Sequence, residues 1–298
     1  MLIFNEADLQ VNGTTVKRVV SGSFDPNIQV AFVHYLSQTT VDAVLLPVSR
    51  PSLSFTRQFG SDEHLSPLNL AGGSIIPAVV GGGDVSLVMR GKTSTSGFTV
   101  GSTYARVTFY GLSLGVPGTL QESIGLTSRG FTLSGDQPTI TPHLLEGSPC
   151  THARTSIVFS DFTMFSDSNE AGVDIINCSM RVDIPWEVSM GFGSITPENL
   201  TMLFAPPARV SVELTARLPG ELADSTEATL RSAVQDQNVS VTMTCTGENG
   251  TCTATVTGLK LSTFNVAHGP GPPVLRLQAM KEISHTGDTS AGMSVAWA

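Results

Sequence analysis

The sequence predicts a mainly β protein arranged as two tandem β domains, and three observations predict it. Short segments of alternating apolar and polar residues recur along the chain, rich in Val, Thr, Ser and aromatics and bounded by Gly, Pro, Asp or Asn. Clear helical spacing occurs at one place. One run of short patterns occurs twice in the same order.

In the first run the order is Val41-Asp42, Pro51 with an alternating strand, Phe59-Gly60-Ser61, Asp84-Val-Ser-Leu-Val-Met-Arg-Gly91 and Val107-Thr-Phe-Tyr-Gly-Leu-Ser-Leu114. The second run reads Val173-Asp174, Pro185 with a strand, Phe192-Gly193-Ser194, Arg209-Val-Ser-Val-Glu-Leu-Thr-Ala-Arg217 and Thr255-Val-Thr-Gly-Leu-Lys-Leu261. The spacing is 132 residues from Asp42 to Asp174, 133 from Gly60 to Gly193 and 147 from Gly111 to Gly258, so the second copy carries an insertion. A period this long describes two equivalent domains rather than a solenoid of short repeats. A length of 298 residues suits two domains of about 150 residues each. The expected division is a first domain over 1–137, a linker over 138–150 carrying Pro138, Pro142, Gly147 and Pro149, and a second domain over 151–298. Fusion of two copies suits a ring assembly in which one chain supplies two quasi-equivalent positions.

Taken in order, strands are expected over 11–20, 30–36, 53–57, 85–90, 105–114 and 124–133 in the first half. The second half adds 157–165, 175–182, 186–190, 210–217, 239–244, 252–261 and 274–280. The helix is expected near 224–236, where Glu227, Ala228, Leu230, Ala233 and Val234 share helical spacing. Asp224 and Glu227 approximate a capping box there, and Pro219-Gly220 stops the preceding strand. Residues 74–80, framed by Gly72-Gly73 and Gly81-Gly-Gly83, read as a loop, either contacting a partner or simply joining two strands. A stiff loop over 269–273 sits inside the final hairpin, and Trp297 close to the terminus is expected either to lie in solvent or, in an assembly, to dock on a neighbour.

Charged residues make up only 14% of the chain against 40% hydrophobic ones, which suits either surface covered by partners or outer β faces built from uncharged Ser and Thr. Sixteen Lys and Arg against 25 Asp and Glu give a formal charge of −9, with no basic cluster. General DNA gripping is thereby excluded, while an acidic wall remains compatible with a conduit that repels phosphate. The chain has neither a run of about 18 apolar residues nor a basic, apolar leader, so it is expected to be made in a cytoplasm, unprocessed and not inserted in a membrane. Cys150 and Cys178 are isolated, whereas Cys245 and Cys252 flank a short turn across which a disulfide is sterically feasible, although a reducing compartment favours free thiols.

The search for chemistry finds no catalytic, cofactor-binding or metal-binding residues. Gly111-Leu-Ser113-Leu-Gly115 has the G-x-S-x-G form of a nucleophile elbow, but Val116-Pro-Gly118 follows where a helix is required. Histidines at 34, 64, 143, 152, 268 and 285 never pair at ligand spacing, and His143, Cys150 and His152 lack further ligands nearby. Asp62-Glu63 and Asp161 with Asp167 read as acidic turns, and Gly81-Gly-Gly83 lacks the Lys-Ser/Thr and helix of a phosphate loop. No enzyme is expected.

Several second-half segments carry a resemblance: Cys178-Ser-Met-Arg-Val-Asp183 through Phe192-Gly193-Ser194, then Pro206-Pro-Ala-Arg-Val-Ser-Val-Glu-Leu-Thr-Ala216 and the helical 224–236 segment. Gly258-Leu-Lys-Leu-Ser262 and Val274-Leu-Arg-Leu-Gln-Ala279 complete it. In this strand order the chain resembles the major tail tube proteins of long-tailed bacteriophages, and the first half follows the same plan more loosely. The resemblance implies two tandem tail-tube-type β-sandwich or barrel domains with one short helix in the second. It implies a virion structural protein whose inner sheets join subunits around a DNA-conducting lumen. Rings would be homotrimeric and pseudo-hexameric, and they would stack into a tube assembled in the bacterial host cytoplasm. The implied partners are further copies of the chain, the tape measure, terminator and distal tail proteins, and passing double-stranded DNA bound without sequence specificity. Residues 61–80 and 1–9 would reach the next ring, and deleting 74–80 is expected to block stacking without unfolding. The alternatives from sequence are a virion carbohydrate-binding or adhesion module, disfavoured by only two Trp and three Tyr, and a baseplate or tail-completion protein of the same fold.

Overall fold

The computed structural model describes residues 6–26, 30–34, 41–45, 50–61, 65, 67–70, 74–140, 148–159, 163–167, 174–190, 200–218, 238–284 and 292–298. The first half carries β1 (Glu6–Val11), β2 (Thr14–Thr15), β3 (Val19–Asp25), β4 (Val30–His34), β5 (Val41–Leu45), β6 (Ser52–Gln58), α1 (Ile75–Gly81), β7 (Val85–Lys92), β8 (Gly97–Gly115), β9 (Gln121–Ser128) and β10 (Thr132–Ser134). The second carries β11 (Thr151–Val158), β12 (Thr163–Asp167), β13 (Asp174–Asp183), β14 (Trp186–Met190), β15 (Leu200–Phe204), β16 (Ala208–Arg217), β17 (Val239–Gly247), β18 (Gly250–Ala267), β19 (Val274–Ile283) and β20 (Met293–Trp297). The protein is mainly β, as its alternating segments predict, and a large antiparallel sheet runs through both halves. Strict in-out burial along β6, β16 and β17 shows why these residues form strands with one face in the core.

In the first half, β2, β1, β7, the N-terminal part of β8 and β10 form one layer, and β3, β6, β9 and the C-terminal part of β8 form the other. Leu87 and Val100 from the first layer and Leu53 and Leu126 from the second line a shared interior together with Phe24 and Phe131. The long strand β8 belongs to both layers. Its register slips between Val107 and Phe109, a bulge that bends the strand where it passes from one layer towards the other.

The strand partnerships then recur, with β12, β11, β17 and β20 around the N-terminal part of β18, and β13, β16 and β19 around its C-terminal part. Each half also has one separate hairpin of five residue pairs, β4 with β5 and β14 with β15. The bulges recur in place as well. Val19/Ser21 on β3 matches Ile175/Asn177 on β13, Val85/Leu87 matches Val239/Val241, and Val107/Phe109 matches Leu261/Thr263.

This register corrects the residue matches read from sequence. Asn265, not Gly258, stands where Gly111 does, and Arg18, not Asp42, corresponds to Asp174. The bulge at 108 and 262 reverses the parity of the alternation, so a motif match on one side of it is not a match in register on the other.

Local structure departs from expectation in several more places, and the segments expected as single strands over 124–133 and 157–165 each fall into two strands, β9 with β10 and β11 with β12. The strand expected over 11–20 breaks at Asn12-Gly13, whose positive φ angles of 47° and 78° make the tight turn of the β1–β2 hairpin. The Asn12 side chain fastens this turn, accepting from the Ser86 N–H at 2.7 Å and donating to the Pro67 carbonyl at 3.1 Å. The expected loop 74–80 is helix α1, with Ile75, Ile76 and Val79 buried. Pro77 is tolerated because it stands in the first turn, where backbone N–H groups have no intrahelical acceptor. Finally, residues 6–9 of the N-terminal segment expected to reach the next ring belong to β1, whose Leu9 is buried and pairs with Met89.

The helix expected near 224–236, the Phe192-Gly193-Ser194 turn, His64, His143, His285, Asp62, Glu63 and Asp161 lie outside the described residues. No helix among the described residues is long and apolar enough to cross a membrane.

Candidate assembly interface

The halves are joined by strand pairing. β13 runs antiparallel to the C-terminal part of β8, from Asn177 opposite Gly115 to Asp183 opposite Phe109. Two further bonds extend the ladder, Ile184 N–H to the Thr108 carbonyl at 2.6 Å and Val116 N–H to the Ile176 carbonyl at 2.8 Å. At this joint Cys178, Met180 and Val182 of β13, with Tyr110, Leu112 and Leu114 of β8, are all buried.

Side chains lock the joint at one end. The Trp186 indole N–H donates to the Val107 carbonyl at 2.8 Å, and the Arg106 guanidinium lies 5.3 Å from the Trp186 ring centre. Arg181 stacks over Phe109 at 4.3 Å. Arg106 and Arg129 both pair with Asp84, and Arg129 also donates to the Leu200 carbonyl, so one carboxylate organises two cations beside the joint. A second contact zone lies elsewhere: Cys150 accepts from Leu120 N–H at 2.7 Å and donates to the Phe59 carbonyl at 2.8 Å. There Trp297 packs on Phe59 with ring centres 5.6 Å apart, so the tryptophan expected in solvent or on a neighbour is held within its own chain.

The recurring register identifies the counterparts of this joint at the two ends of the sheet. β3 corresponds to β13, and among the described residues it pairs with β6 alone. The C-terminal part of β18 corresponds to that of β8, and among the described residues it pairs with β19 alone. Apolar side chains covered at the joint are open at these ends. Met180 is 0% exposed, whereas its counterpart Phe24 is only half-buried. Phe264 and Val266 are half-buried, whereas their counterparts Tyr110 and Leu112 are fully covered.

Sequence reasoning missed these edge residues although a signal was present. Val19-Val-Ser-Gly-Ser-Phe-Asp25 and Ile175-Ile-Asn-Cys-Ser-Met-Arg181 share an order of two apolar residues, a polar one, a small one, Ser, a bulky apolar residue and a charge.

Several of the residues weighed for chemistry lie among the described residues. Ser113 lies near the C-terminal end of β8, between Gln121 and Ser179. His152 hydrogen-bonds Thr155 at 3.1 Å, and no group of three or more His, Cys, Asp or Glu among the described residues is arranged to hold a metal ion. Cys245 and Cys252 stand directly opposite each other as unbonded thiols. Burial pushes the Cys178 thiol up to about 12; burial, then the neighbouring Cys150 and Cys178, push Cys245 to about 12. These thiols stay protonated at neutral pH and are poor nucleophiles. Tyr110 is held well above its ordinary value by burial and then by the Glu122 carboxylate.

What the arrangement offers is two complementary strand edges and one internal example of how such edges join. No protein-family model matches the chain, and no curated protein matches it significantly.

Proposed function

We propose that the chain is a structural protein of a phage virion, its two halves filling alternate, equivalent positions in a ring, and that stacked rings form the tail tube through which DNA passes. The observation that carries this reading is the β8–β13 joint, in which one half adds its edge strand to the sheet of the other. The counterpart edges at β3 and β18 suit repetition of that step between chains. A head-to-tail contact of this kind is heterologous and generates a ring when its rotation closes. Three chains would then present six units, the homotrimeric pseudo-hexamer that the tail-tube resemblance implies.

Edge-to-edge joining also explains how a protein with unpaired strands and only 14% charged residues avoids uncontrolled aggregation, because ring closure consumes the edges. The formal charge of −9 suits a conduit that must not hold passing phosphate. In the virion the partners are neighbouring copies of the chain, the tape measure, terminator and distal tail proteins, and DNA in transit.

Negative-stain electron microscopy of the purified protein across concentration tests the proposal. Hollow rings with three-fold or pseudo-six-fold end views, stacking as concentration rises, are the expected result. Compact monomers at every concentration would overturn it.

A further inference from the structure

Resting on the ring reading above, we infer that neighbouring chains are joined in one defined register, with β3 of one chain antiparallel to the C-terminal part of β18 of the next. The partner is a second copy of this chain, and the register follows from the internal joint. β13 residues correspond to β3 residues 156 positions earlier, as Asn177 to Ser21, and β8 residues to β18 residues 154 positions later, as Phe109 to Thr263. Carrying the β13–β8 pairs across places Ser23 opposite Ala267, Phe24 opposite Val266 and Asp25 opposite Asn265, with Gly22 opposite His268.

Hydrogen-bond direction agrees with this placement. At the internal joint the N–H of Ile184 and the carbonyl of Ile176 point to β8, so even-numbered residues of β13 face that strand. On β3, Gln58 N–H bonds the Arg18 carbonyl, and the bulge after Val19 then turns Ser23 and Asp25 to β6. Gly22 and Phe24 are left facing outward, as their counterparts Cys178 and Met180 face β8. Phe24 with Val266 is therefore a hydrogen-bonded pair, and Ser23 with Ala267 is a close, non-hydrogen-bonded pair. Within the seam, Phe24 on β3 and Phe264 and Val266 on β18 are half-buried, whereas their counterparts Met180, Tyr110 and Leu112 are covered at the internal joint.

Prolines set the limits of the seam. Pro26 stands at the position of Val182 and Pro270 one residue beyond the position of Gly115, and neither has an N–H to donate. The ladder between chains is thus shorter than the one within a chain, and both edges are blunted against longer, out-of-register pairing.

The close pair supplies the test. In the full-length chain carrying Ser23→Cys and Ala267→Cys, mild oxidation is expected to give a ladder of covalent multimers on a non-reducing gel, ending at ring size. An equimolar mixture of the two single variants is expected to stop at dimers, and wild type, with its buried thiols, to remain monomeric on the gel. Ser23→Cys with Asn265→Cys reports a slip of two residues. Rings in the microscope with no cross-link in the first pair, or with cross-linking confined to the slipped pair, overturn the register and leave the ring reading standing. Wild-type chains that never form rings overturn both.

Discussion

Arg57 and Glu122 form an ion pair of 2.6 Å with both side chains 0% exposed, which places two full charges inside an apolar core. The guanidinium also donates to the Lys17 carbonyl at 3.4 Å and to the Ser61 carbonyl, and lies 5.1 Å from the Phe59 ring centre. The matching register positions in the second half are Ala216 opposite Leu275, so the same place in the sheet is filled by a charge pair in one half and by hydrocarbon in the other. Breaking a buried pair strands the remaining charge, whereas replacing both members with apolar residues of similar volume is often neutral or stabilising. Arg57→Met alone is therefore expected to lower stability by about 3–5 kcal/mol. Arg57→Met with Glu122→Leu is expected to recover most of that loss, as read from urea unfolding midpoints. A double variant no more stable than the single would show that the guanidinium's bonds to Lys17 and Ser61, rather than the charge pair, hold this region. None of this was legible in the sequence, because residues 65 apart meet only once the register of β6 against β9 is known.

Among the elements, the strands were the legible part, since a half-buried strand writes its period into the chain. The helix α1 was not. Its Ile75-Ile-Pro-Ala-Val-Val-Gly81 is apolar nearly throughout and only two turns long, so it shows no amphipathic stripe, and the flanking glycines read as loop punctuation. Burial of Ile75, Ile76 and Val79 changes what removing this segment should do. Deletion of 74–80 is expected to abolish cooperative thermal unfolding by circular dichroism, because it takes three core side chains with it. A deletion variant that keeps a sharp transition and fails only to stack would reinstate the segment as a ring-to-ring contact. The duplication was legible as an order of patterns and not as a residue alignment, for the parity reason given by the bulges at 108 and 262.

At the scale of the whole molecule, the halves share one continuous sheet and one continuous apolar core that runs from Leu9 to Val295. Low charge and a recurring order of strand patterns could be read from composition and repetition, but the joint could not, because pairing between β8 and β13 depends on which edges remain open after the strands of each half have paired. Both tryptophans of the chain lie at places where the halves touch, Trp186 beside Arg106 and Trp297 against Phe59. Evolution has thereby left the protein with its own optical reporter. Indole emission follows the separation of the halves, while far-ultraviolet dichroism follows the strands themselves. The shared core predicts that both signals change together along a urea titration. A red shift that precedes the loss of dichroism would instead mean that the halves part while still folded, and would give a solution assay for the same kind of edge contact that builds a ring.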